Sequence, residues 1–520
     1  MKTNPIRFWA YILTALFWIS SLTACHATPP AAPPTNAPSA STTPMSRALS
    51  VGYDRFSGRF NPFFARTPND REAVSLVTLS LLDTDREGNV VLNGQNGIAN
   101  GTVTENEDGT VTYDFTLRDD VKFSDGETLT ADDVIFSMYV LADPSYDGPS
   151  AFSSLPIKGL AEYRTGVSPV LYEKYAAVAD KIRAAGPDAT AYDGFTEAQY
   201  TAYWGDVLAA AGEMFVGEIV AYCLQNYAEF LPRCGNDDVV LGMYVWGYGS
   251  LNEDGSFTDA FGTVYDLRSA FPTKADFWQC ILTAHNHDLS ADGIDRDAVV
   301  TPIADLLETA FVTAEGPKDE NVEELVHAVA GIEKTGDFSV RVTLTTADAA
   351  ALRGLNVPVA PLHYYGADNA YDYQNNRFGF TKGDLSGVRA KTTPLGAGPF
   401  VFDSYEDGTV TLTANTNYRK GCPTIETLLL KTVSDRLSAL ADGTVDVAAV
   451  DIREDSDIPD DGRFTVLTVD GLEDNGTDSA NGGKTVVVFN TARIDASTLP
   501  ADITPFWRWM REIETLKMRE

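Results

Sequence analysis

Basic residues are scarce in this chain. Of its 520 residues, 39 are Lys or Arg and 74 are Asp or Glu, which gives a formal net charge of −35 at pH 7. Such an acidic surface repels nucleic acid phosphates, so the composition argues against a DNA or RNA partner. The hydrophobic share of 44% is ordinary for a globular protein, and the length is sufficient for two or three domains.

Cysteine is also rare, with five residues in the whole chain. Four of them lie in the body of the chain, and their spacing fits no zinc pattern: Cys223, Cys234, Cys280 and Cys422. Two alternatives stay open for the first pair. Cys223 and Cys234 either form a disulfide, as an exported protein permits, or are unpaired core residues.

Patterns that bind metal ions are weak. His285 and His287 are two positions apart with no third ligand nearby, which favours a solvated loop. Residues 83–88 begin like a calcium-binding loop, but the twelfth position is Gly94 where that loop needs a bidentate glutamate. We therefore expect a hairpin turn at 83–88 and no metal site.

Common catalytic motifs are missing as well. The sequence has no Gly-x-Ser-x-Gly elbow, no Walker A motif and no His-Glu-x-x-His pair. Paired carboxylates abound, but among 74 acidic residues their adjacency carries little information. These absences predict that the chain is not an enzyme and that it uses no cofactor.

The N-terminus has the form of an export signal. Lys2 and Arg7 make a positive segment, and residues 8–22 make an apolar segment too short for a comfortable membrane span. Leu-Thr-Ala-Cys at 22–25 resembles a bacterial lipobox, which implies removal of the signal peptide 1–24 and diacylation of Cys25. Two acyl chains anchor a protein stably. Residues 26–46 are rich in Pro, Ala, Ser and Thr, which predicts a disordered tether over 25–48.

The most informative stretch is residues 113–137. From Val111 to Leu117, apolar residues alternate with polar ones, which predicts a strand with one buried face. Asp125-Gly126 marks a turn. Thr130 and Asp133 then form a predicted capping box, and the helix after it carries an apolar stripe: Val134, Ile135, Met138 and Leu141.

This order of parts, Y-x-F-x-L-R-x-x-V-x-F-x-D-G-x-x-L-T-A-x-D-V, resembles the signature of the family 5 extracellular solute-binding proteins. These are the peptide- and nickel-binding receptors of ABC importers. A second run at 396–423, G-x-G-P-F-x-F…V-x-L-x-x-N-x-x-Y-x-x-G-x-P, resembles another hallmark of the family. The similarity fades after Pro144 and resumes at 326–344 and 357–365, so we expect an insertion at about 155–320.

Local patterns predict further elements. A βαβ unit is predicted at 425–450. It consists of a strand at 425–433, a helix capped by Ser434 and ended by Gly443, and a strand at 445–450, which implies a parallel strand pair. The other predictions are a strand at 49–54, a turn at 60–64, a helix at 71–82, a hairpin turn at 106–109, helices at 172–185, 197–211 and 213–230, a loop at 245–259, a buried strand at 484–490 and an amphipathic helix at 504–519.

The resemblance implies an α/β fold of the periplasmic-binding-protein-like type, in its type II, peptide-binding class. It implies a first lobe with mixed sheets and a helical insertion, and a second lobe that is largely absent, because the family continues for a couple of hundred residues beyond a strand such as 484–490. The expected first-lobe segments are a main domain at 49–90 and 390–490, a smaller subdomain at 91–389, and a truncated tail at 491–520.

The resemblance also suggests where a ligand lies. The loop after the first strand faces the ligand cleft in the family, and by position it supplies Phe63, Arg66, Thr67 and Pro68 to the cleft wall. An equally good interpretation of Phe63 is a core residue. In the family, a strand such as 484–490 crosses the hinge into the second lobe. By position, the resemblance places Phe489, Asn490 and Thr491 at that hinge. The aspartate that holds a peptide's ammonium group is in the second lobe of the family.

The function implied is a receptor that delivers a solute, foremost an oligopeptide, to the permease subunits of an ABC importer. Two lobes would close around the ligand and hold its main chain. Without the second lobe, we expect weak peptide binding or none. The alternative is a surface adhesion lipoprotein that uses the helical insertion. Either protein would be a monomer in the cell envelope, anchored through the lipid on Cys25 to the outer face of the plasma membrane or located in the periplasm.

Overall fold

The computed structural model describes residues 48–85, 88–148, 151–289, 294, 301–319, 326–452, 458, 462–468, 484–499 and 510–519. The predicted signal peptide, Cys25 and the tether up to residue 47 lie outside these residues, as do residues 504–509 of the predicted C-terminal helix. Ala48, assigned to the tether from the sequence, is the first residue of a strand.

Strands occur throughout the described residues. In chain order they are β1 Ala48–Tyr53, β2 Leu79–Ser80, β3 Asp83–Thr84, β4 Val90–Val91, β5 Ala99–Glu105, β6 Val111–Leu117, β7 Gly249–Leu251, β8 Ser256–Asp259, β9 Val264–Asp266, β10 Ile332–Gly336, β11 Ser339–Leu344, β12 Pro358–Val359, β13 Tyr371–Asp372, β14 Arg377–Phe378, β15 Phe400–Glu406, β16 Thr409–Ala414, β17 Thr427–Thr432, β18 Val447–Ile452, β19 Phe464–Thr468 and β20 Lys484–Asn490.

The α-helices are concentrated between residues 131 and 315. They are α1 Pro68–Ser75, α2 Ala131–Ala142, α3 Leu160–Thr165, α4 Pro169–Ala185, α5 Glu197–Ala202, α6 Leu208–Asn226, α7 Asp238–Val245, α8 Lys274–Ala284, α9 Ile303–Glu315, α10 Ala351–Leu355, α11 Leu362–Tyr365, α12 Ser386–Arg389 and α13 Arg436–Ala441. A short π-helical segment, Tyr203–Val207, joins α5 to α6.

The largest sheet in the described part of the chain has seven strands in the order β15-β16-β17-β1-β18-β20-β19. Its three central strands are parallel, since β1 pairs in parallel with β17 on one side and with β18 on the other. The outer pairings are antiparallel. The predicted βαβ unit is therefore confirmed, with β1 lying between its two strands.

Both faces of this sheet are covered. Along β20, Val487 and Phe489 pack into a core that also contains α1 residues, whereas Val486 and Val488 pack against the core around α13. Because side chains of a strand alternate between faces, a continuous apolar run such as 486–489 is what a strand buried on both faces requires. The prediction of a buried strand at 484–490 is confirmed.

A second sheet carries the stretch at 113–137. It has the order β10-β11-β6-β5, and the four apolar side chains of β6 are all buried on one face. Helix α2 packs on that face. Asp133 accepts a hydrogen bond from the Thr130 N–H at 2.8 Å, as the capping-box pattern predicts. All residues of α2 except Asp132 are buried, so the helix lies inside the fold and its apolar stripe is only part of its buried surface.

The segment predicted as a helical insertion, at about 155–320, contains a separate apolar core of buried residues that lie between Val167 and Val312. Its helices were predicted with a break at Gly212, and that prediction was wrong: α6 runs through Gly212 without interruption. A Cβ at this position would lie 2.2 Å from Nε1 of Trp278, so glycine makes room for the indole of α8. The glycine marks a close helix contact, where sequence reasoning took it for a helix end.

The predicted loop at 245–259 was also wrong. Strands β7, β8 and β9 form a three-stranded antiparallel sheet there, connected by turns that contain Gly255 and Gly262. Asp254 and Gly255 belong to the first of these turns, whereas Gly249 and Asp259 lie within strands β7 and β8. Among the described residues, one helical stretch, Glu197–Leu224, is long and apolar enough to cross a membrane, and 50% of its most apolar window is buried inside the protein.

Smaller corrections concern element ends. The helix predicted at 71–82 is α1, which begins at Pro68 and ends at Ser75, after which Leu79–Ser80 pairs with β12. Asp435, not Ser434, caps α13, because its side chain accepts from the Ser438 N–H at 3.1 Å. The described end of the chain contains a 3₁₀ helix, Met510–Thr515, in place of the predicted α-helix. The edge strand β19 was not predicted.

Candidate ligand cleft

The loop that leaves β1 begins at the carboxyl ends of the parallel strands. Open α/β sheets bind ligands at that edge, since the loops diverge there. Asn61 connects the loop to residues 388–391. Its side-chain Nδ2 donates to the backbone oxygens of Val388 at 2.8 Å and of Lys391 at 2.9 Å. The Phe64 N–H donates to the backbone oxygen of Asn61 at 3.0 Å, and this hydrogen bond closes the predicted turn at 60–64.

Phe63 and Phe64 are core residues in the structure. Phe63 is 1% exposed and meets Phe136 and Tyr365 edge to face, at centroid distances of 6.2 and 6.0 Å. The guanidinium of Arg389 covers the ring of Phe64 at 4.0 Å. Of the two interpretations of Phe63, this burial supports the core residue, and a ligand would meet the side chain only after the loop rearranged.

Arg66 is tied to two aspartates. Its Nη1 lies 3.1 Å from a carboxylate oxygen of Asp238, and its Nη2 lies 3.2 Å from one of Asp147. The same Nη2 donates to the Asp147 backbone oxygen at 2.9 Å. The Arg66 side chain is only 10% exposed. Since Asp238 belongs to α7, this ion pair joins the predicted ligand loop to the helical insertion.

Thr67 and Pro68 start helix α1. The Thr67 hydroxyl accepts from the Asp70 N–H and donates to the Asp70 carboxylate at 2.6 Å, and Pro68 occupies the first helical position. Burial raises the pKa of Asp70, although hydrogen bonds from Ser57 and Thr67 oppose the shift. Thr67 is buried and Pro68 is exposed, so Pro68 has the more accessible surface of the two.

The predicted hinge residues Phe489, Asn490 and Thr491 lie at and just after the end of β20. Phe489 is buried in the core on the α1 side of the large sheet, and the Asn490 N–H donates to the Asp446 backbone oxygen at 2.8 Å. Thr491 is 9% exposed. The Asp446 carboxylate in turn accepts from the Ser50 N–H at 3.0 Å. Because β20 is antiparallel to β18, it ends beside the amino end of β18: Phe489 pairs with Val447, which in turn pairs with Val51 of β1.

A cleft opens between the ligand loop and the insertion. Its free volume is about 80 Å³, and it is lined by Arg55, Phe56, Ser57, Arg59, Arg66, Thr67, Leu224, Leu231, Asn236 and Asp238. Sequence reasoning predicted two of these residues, Arg66 and Thr67. The four residues of the insertion were missed because Asp238 is 172 residues from Arg66 along the chain. The four at 55–59 were missed because they precede the segment, 63–68, that the resemblance places in the cleft. The closely spaced arginines at 55, 59 and 66 in an acidic chain were the one available signal.

The cysteines of the described residues are unpaired. Cys223 and Cys234 are free and buried, and burial together with the neighbouring Cys234 thiol raises the pKa of Cys223 to about 12. This supports the second alternative, unpaired core residues. Residues 83–84 and 90–91 form a hairpin, as expected. Within the described ranges, no group of three or more His, Cys, Asp or Glu side chains is arranged to hold a metal ion.

Comparison with known proteins gives a family. The sequence model of "Bacterial extracellular solute-binding proteins, family 5 Middle" matches residues 94–190 and 285–506. A putative ABC transporter peptide-binding protein of Brucella ovis is 35% identical over 85 residues, which are 16% of each chain. A probable di/tripeptide-binding protein of Pseudomonas aeruginosa is 29% identical over 163 residues, which are 30% of this chain and 29% of that protein.

The solved structures that match this chain are distant in sequence. The oligopeptide-binding protein AppA of Bacillus subtilis is 15% identical, with a TM-score of 0.37, over 81% of this chain and 47% of that chain. Lactococcal OppA is 13% identical, with a TM-score of 0.40, over 81% of this chain and 49% of its own. This chain thus spans about half the length of those proteins. The family match covers more than half of the present chain in two segments, and the chain belongs to the bacterial extracellular solute-binding proteins, family 5.

Proposed function

We propose that this chain captures a solute, foremost a peptide, for the permease subunits of an ABC importer. The observation that carries the proposal is the family match at 94–190 and 285–506, which includes both sequence signatures. The curated relatives are named peptide-binding proteins, which supports a peptide over other solutes. The family consists of extracellular solute-binding proteins and not of enzymes. The adhesion alternative gains no support from these matches.

The proposed architecture follows the sheets. A main domain would comprise 49–90 and 390–490, since the seven-stranded sheet draws its strands from 48–53 and 400–490. A smaller subdomain would comprise 91–389, with the four-stranded sheet and the insertion. Together they would form the first lobe of a two-lobed, type II receptor, which closes on its ligand by a hinge motion. Phe489, Asn490 and Thr491 would lie at that hinge.

The proposed ligand position is the loop at the carboxyl ends of the parallel strands. Pro68 and Arg66 are the predicted wall residues with side chains near the cleft or solvent, and Thr67 fixes the start of α1 behind them. A receptor that holds the peptide main chain tolerates varied side chains, because every peptide presents the same N–H and C=O groups. We also propose a lipid anchor on Cys25, a location in the cell envelope and a monomeric protein.

Photocrosslinking tests the function and detects even weak binding. Residues 25–520 are irradiated with photoreactive peptides of three to nine residues, and labelled positions are mapped by mass spectrometry. We expect labelling concentrated at 55–68 and suppressed by unlabelled peptide. The control is the same photoreactive group on a sugar alcohol, which should label weakly and diffusely. Equal labelling by peptide and sugar alcohol would contradict a peptide receptor, and suppression by a nickel–histidine complex alone would point to another solute.

A further inference from the structure

One wall of the cleft between the ligand loop and the insertion lies outside the residues that the family model matches. Leu224, Leu231, Asn236 and Asp238 form this wall, and all four lie between residues 191 and 284, which the family match leaves out. The opposite wall is the loop from Arg55 to Thr67. The cleft is therefore a feature of this chain's own insertion packed on the proposed ligand loop.

The charges of the cleft are opposite to those of the molecule. The chain carries a net charge of −35. Among the residues that line the cleft, three arginines, Arg55, Arg59 and Arg66, outnumber one aspartate, Asp238. A second aspartate, Asp147, also pairs with Arg66, which leaves a small local excess of positive charge. A concave, positively charged site in an acidic protein concentrates anions against the surrounding field, and guanidinium groups suit carboxylates in particular because they donate in pairs.

The three arginines differ in availability. Arg66 is largely buried and is shared between Asp238 and Asp147, so it holds the two walls together. Arg59 is 62% exposed and lies 3.6 Å from the Asp238 carboxylate, a distance that leaves most of its donors free. Arg55 is exposed and has no ion-pair partner among the described residues. Arg55 and Arg59 are thus the two cations that can receive a ligand.

The size of the cleft limits what enters. A free volume of about 80 Å³ accommodates a few water-sized groups, whereas whole-ligand pockets measure roughly 300–1,000 Å³. The floor is apolar at Phe56, Leu224 and Leu231. A carboxylate on a short methylene stem fits this combination: the methylenes contact the apolar floor and the carboxylate meets the arginines.

We propose that this cleft is a subsite for a carboxylate group of the ligand, as in an acidic side chain of a peptide, with Arg55 and Arg59 as its binding cations. Asp238 lies near Arg59 and Arg66 and competes with the incoming carboxylate. This inference rests on the proposed function, because it assigns a ligand class to the same loop. It makes the insertion a determinant of specificity.

Ligand-observed NMR tests the subsite with a small probe. N-acetylglutamate is used as its α-methylamide, so that the side-chain carboxylate is its one charge. It is titrated into residues 25–520, and N-acetylglutamine α-methylamide is the neutral control of equal shape. We expect saturable binding of the first, weakened by added salt, and at least tenfold weaker binding of the second. Arg55→Gln and Arg59→Gln should each weaken N-acetylglutamate binding about tenfold, since each removes a charged donor. Asp238→Asn should tighten it severalfold by removing the competitor.

A matched control is Arg268→Gln, which alters an exposed arginine two residues after β9, outside the cleft. It should leave N-acetylglutamate binding unchanged. Equal affinity for the acid and the amide, or equal losses in Arg268→Gln and Arg55→Gln, would overturn the subsite. Peptide crosslinking with no preference for acidic peptides overturns the subsite and leaves the receptor intact. Binding of N-acetylglutamate without any peptide crosslinking leaves the subsite intact and overturns the peptide receptor.

Discussion

The four-stranded subdomain and the helical insertion differ in how their elements are specified. In the subdomain, the alternation at 111–117, the turn at 125–126 and the cap at 130–133 each act within a few residues, and the structure contains all three. In the insertion, a helix passes through Gly212 and a Gly-rich segment forms a sheet. Local sequence signals specify these elements of the subdomain, whereas contacts between distant segments specify the elements of the insertion.

The largest expected effect tests whether the two regions have independent cores. Trp278 is 2% exposed in the insertion and Phe136 is fully buried under the four-stranded sheet, and they belong to different apolar clusters. Trp278→Ala and Phe136→Ala should each cost about 3–5 kcal/mol of local stability. Hydrogen exchange measured by mass spectrometry should show lost protection in α6 and α8 for the first variant, and in β6 and α2 for the second.

Equal loss of protection throughout the described residues in both variants would contradict the comparison. It would show that the insertion and the subdomain unfold as one cooperative unit, despite their separate apolar clusters.

An intermediate effect tests the close contact at Gly212. Gly212→Ala should destabilise the protein by about 1–3 kcal/mol, because its Cβ would collide with Trp278. Gly217→Ala in the same helix is the matched control: its nearest neighbour is Lys274 Nζ at 3.4 Å, the end of a flexible side chain. There, the better helix propensity of alanine should stabilise by about 0.5–1 kcal/mol. Urea unfolding followed by circular dichroism measures both, and equal signs for the two variants would contradict the contact.

The smallest effect concerns Asp147, which connects the two regions. Its carboxylate lies 2.7 Å from Arg389 and 3.9 Å from Lys274 of the insertion. Burial alone would raise the pKa of Asp147, but the Arg389 hydrogen bond and the charges of Arg66 and Arg389 outweigh it and lower that pKa. Because the folded-state pKa is below the unfolded one, the stabilising contribution is complete above about pH 4 and is lost as pH falls through the folded-state pKa.

The comparison of Asp147→Asn with the unaltered protein measures this contribution. We expect a difference in unfolding free energy on the order of 1 kcal/mol or less at pH 7, since solvent screens a partly exposed pair. The difference should shrink towards pH 3. A difference that stays constant or grows as pH falls would contradict the assigned role of this carboxylate.

Much of the sheet architecture could be predicted from the sequence, and little of the cleft. Strands β6 and β20 and the parallel βαβ unit follow from periodicity, because a strand's own residues report which faces are buried. The burial of Phe63 could not be decided, since an aromatic residue in a loop suits a ligand wall and a core equally well. Asp238 could not be connected with Arg66, because no local pattern reports a contact across 172 residues.

The sequence by itself determined the family, the two signature regions and the alternation of buried and exposed faces, because these depend on residues that are near neighbours along the chain. Only the tertiary structure decided that α6 continues through Gly212, that the predicted hinge residues lie beside the amino end of β18, and that three arginines share a cleft with the insertion. The physical reason is the same in each case: packing and ion pairing act between atoms in contact, and contact between distant segments is established only when the chain has folded.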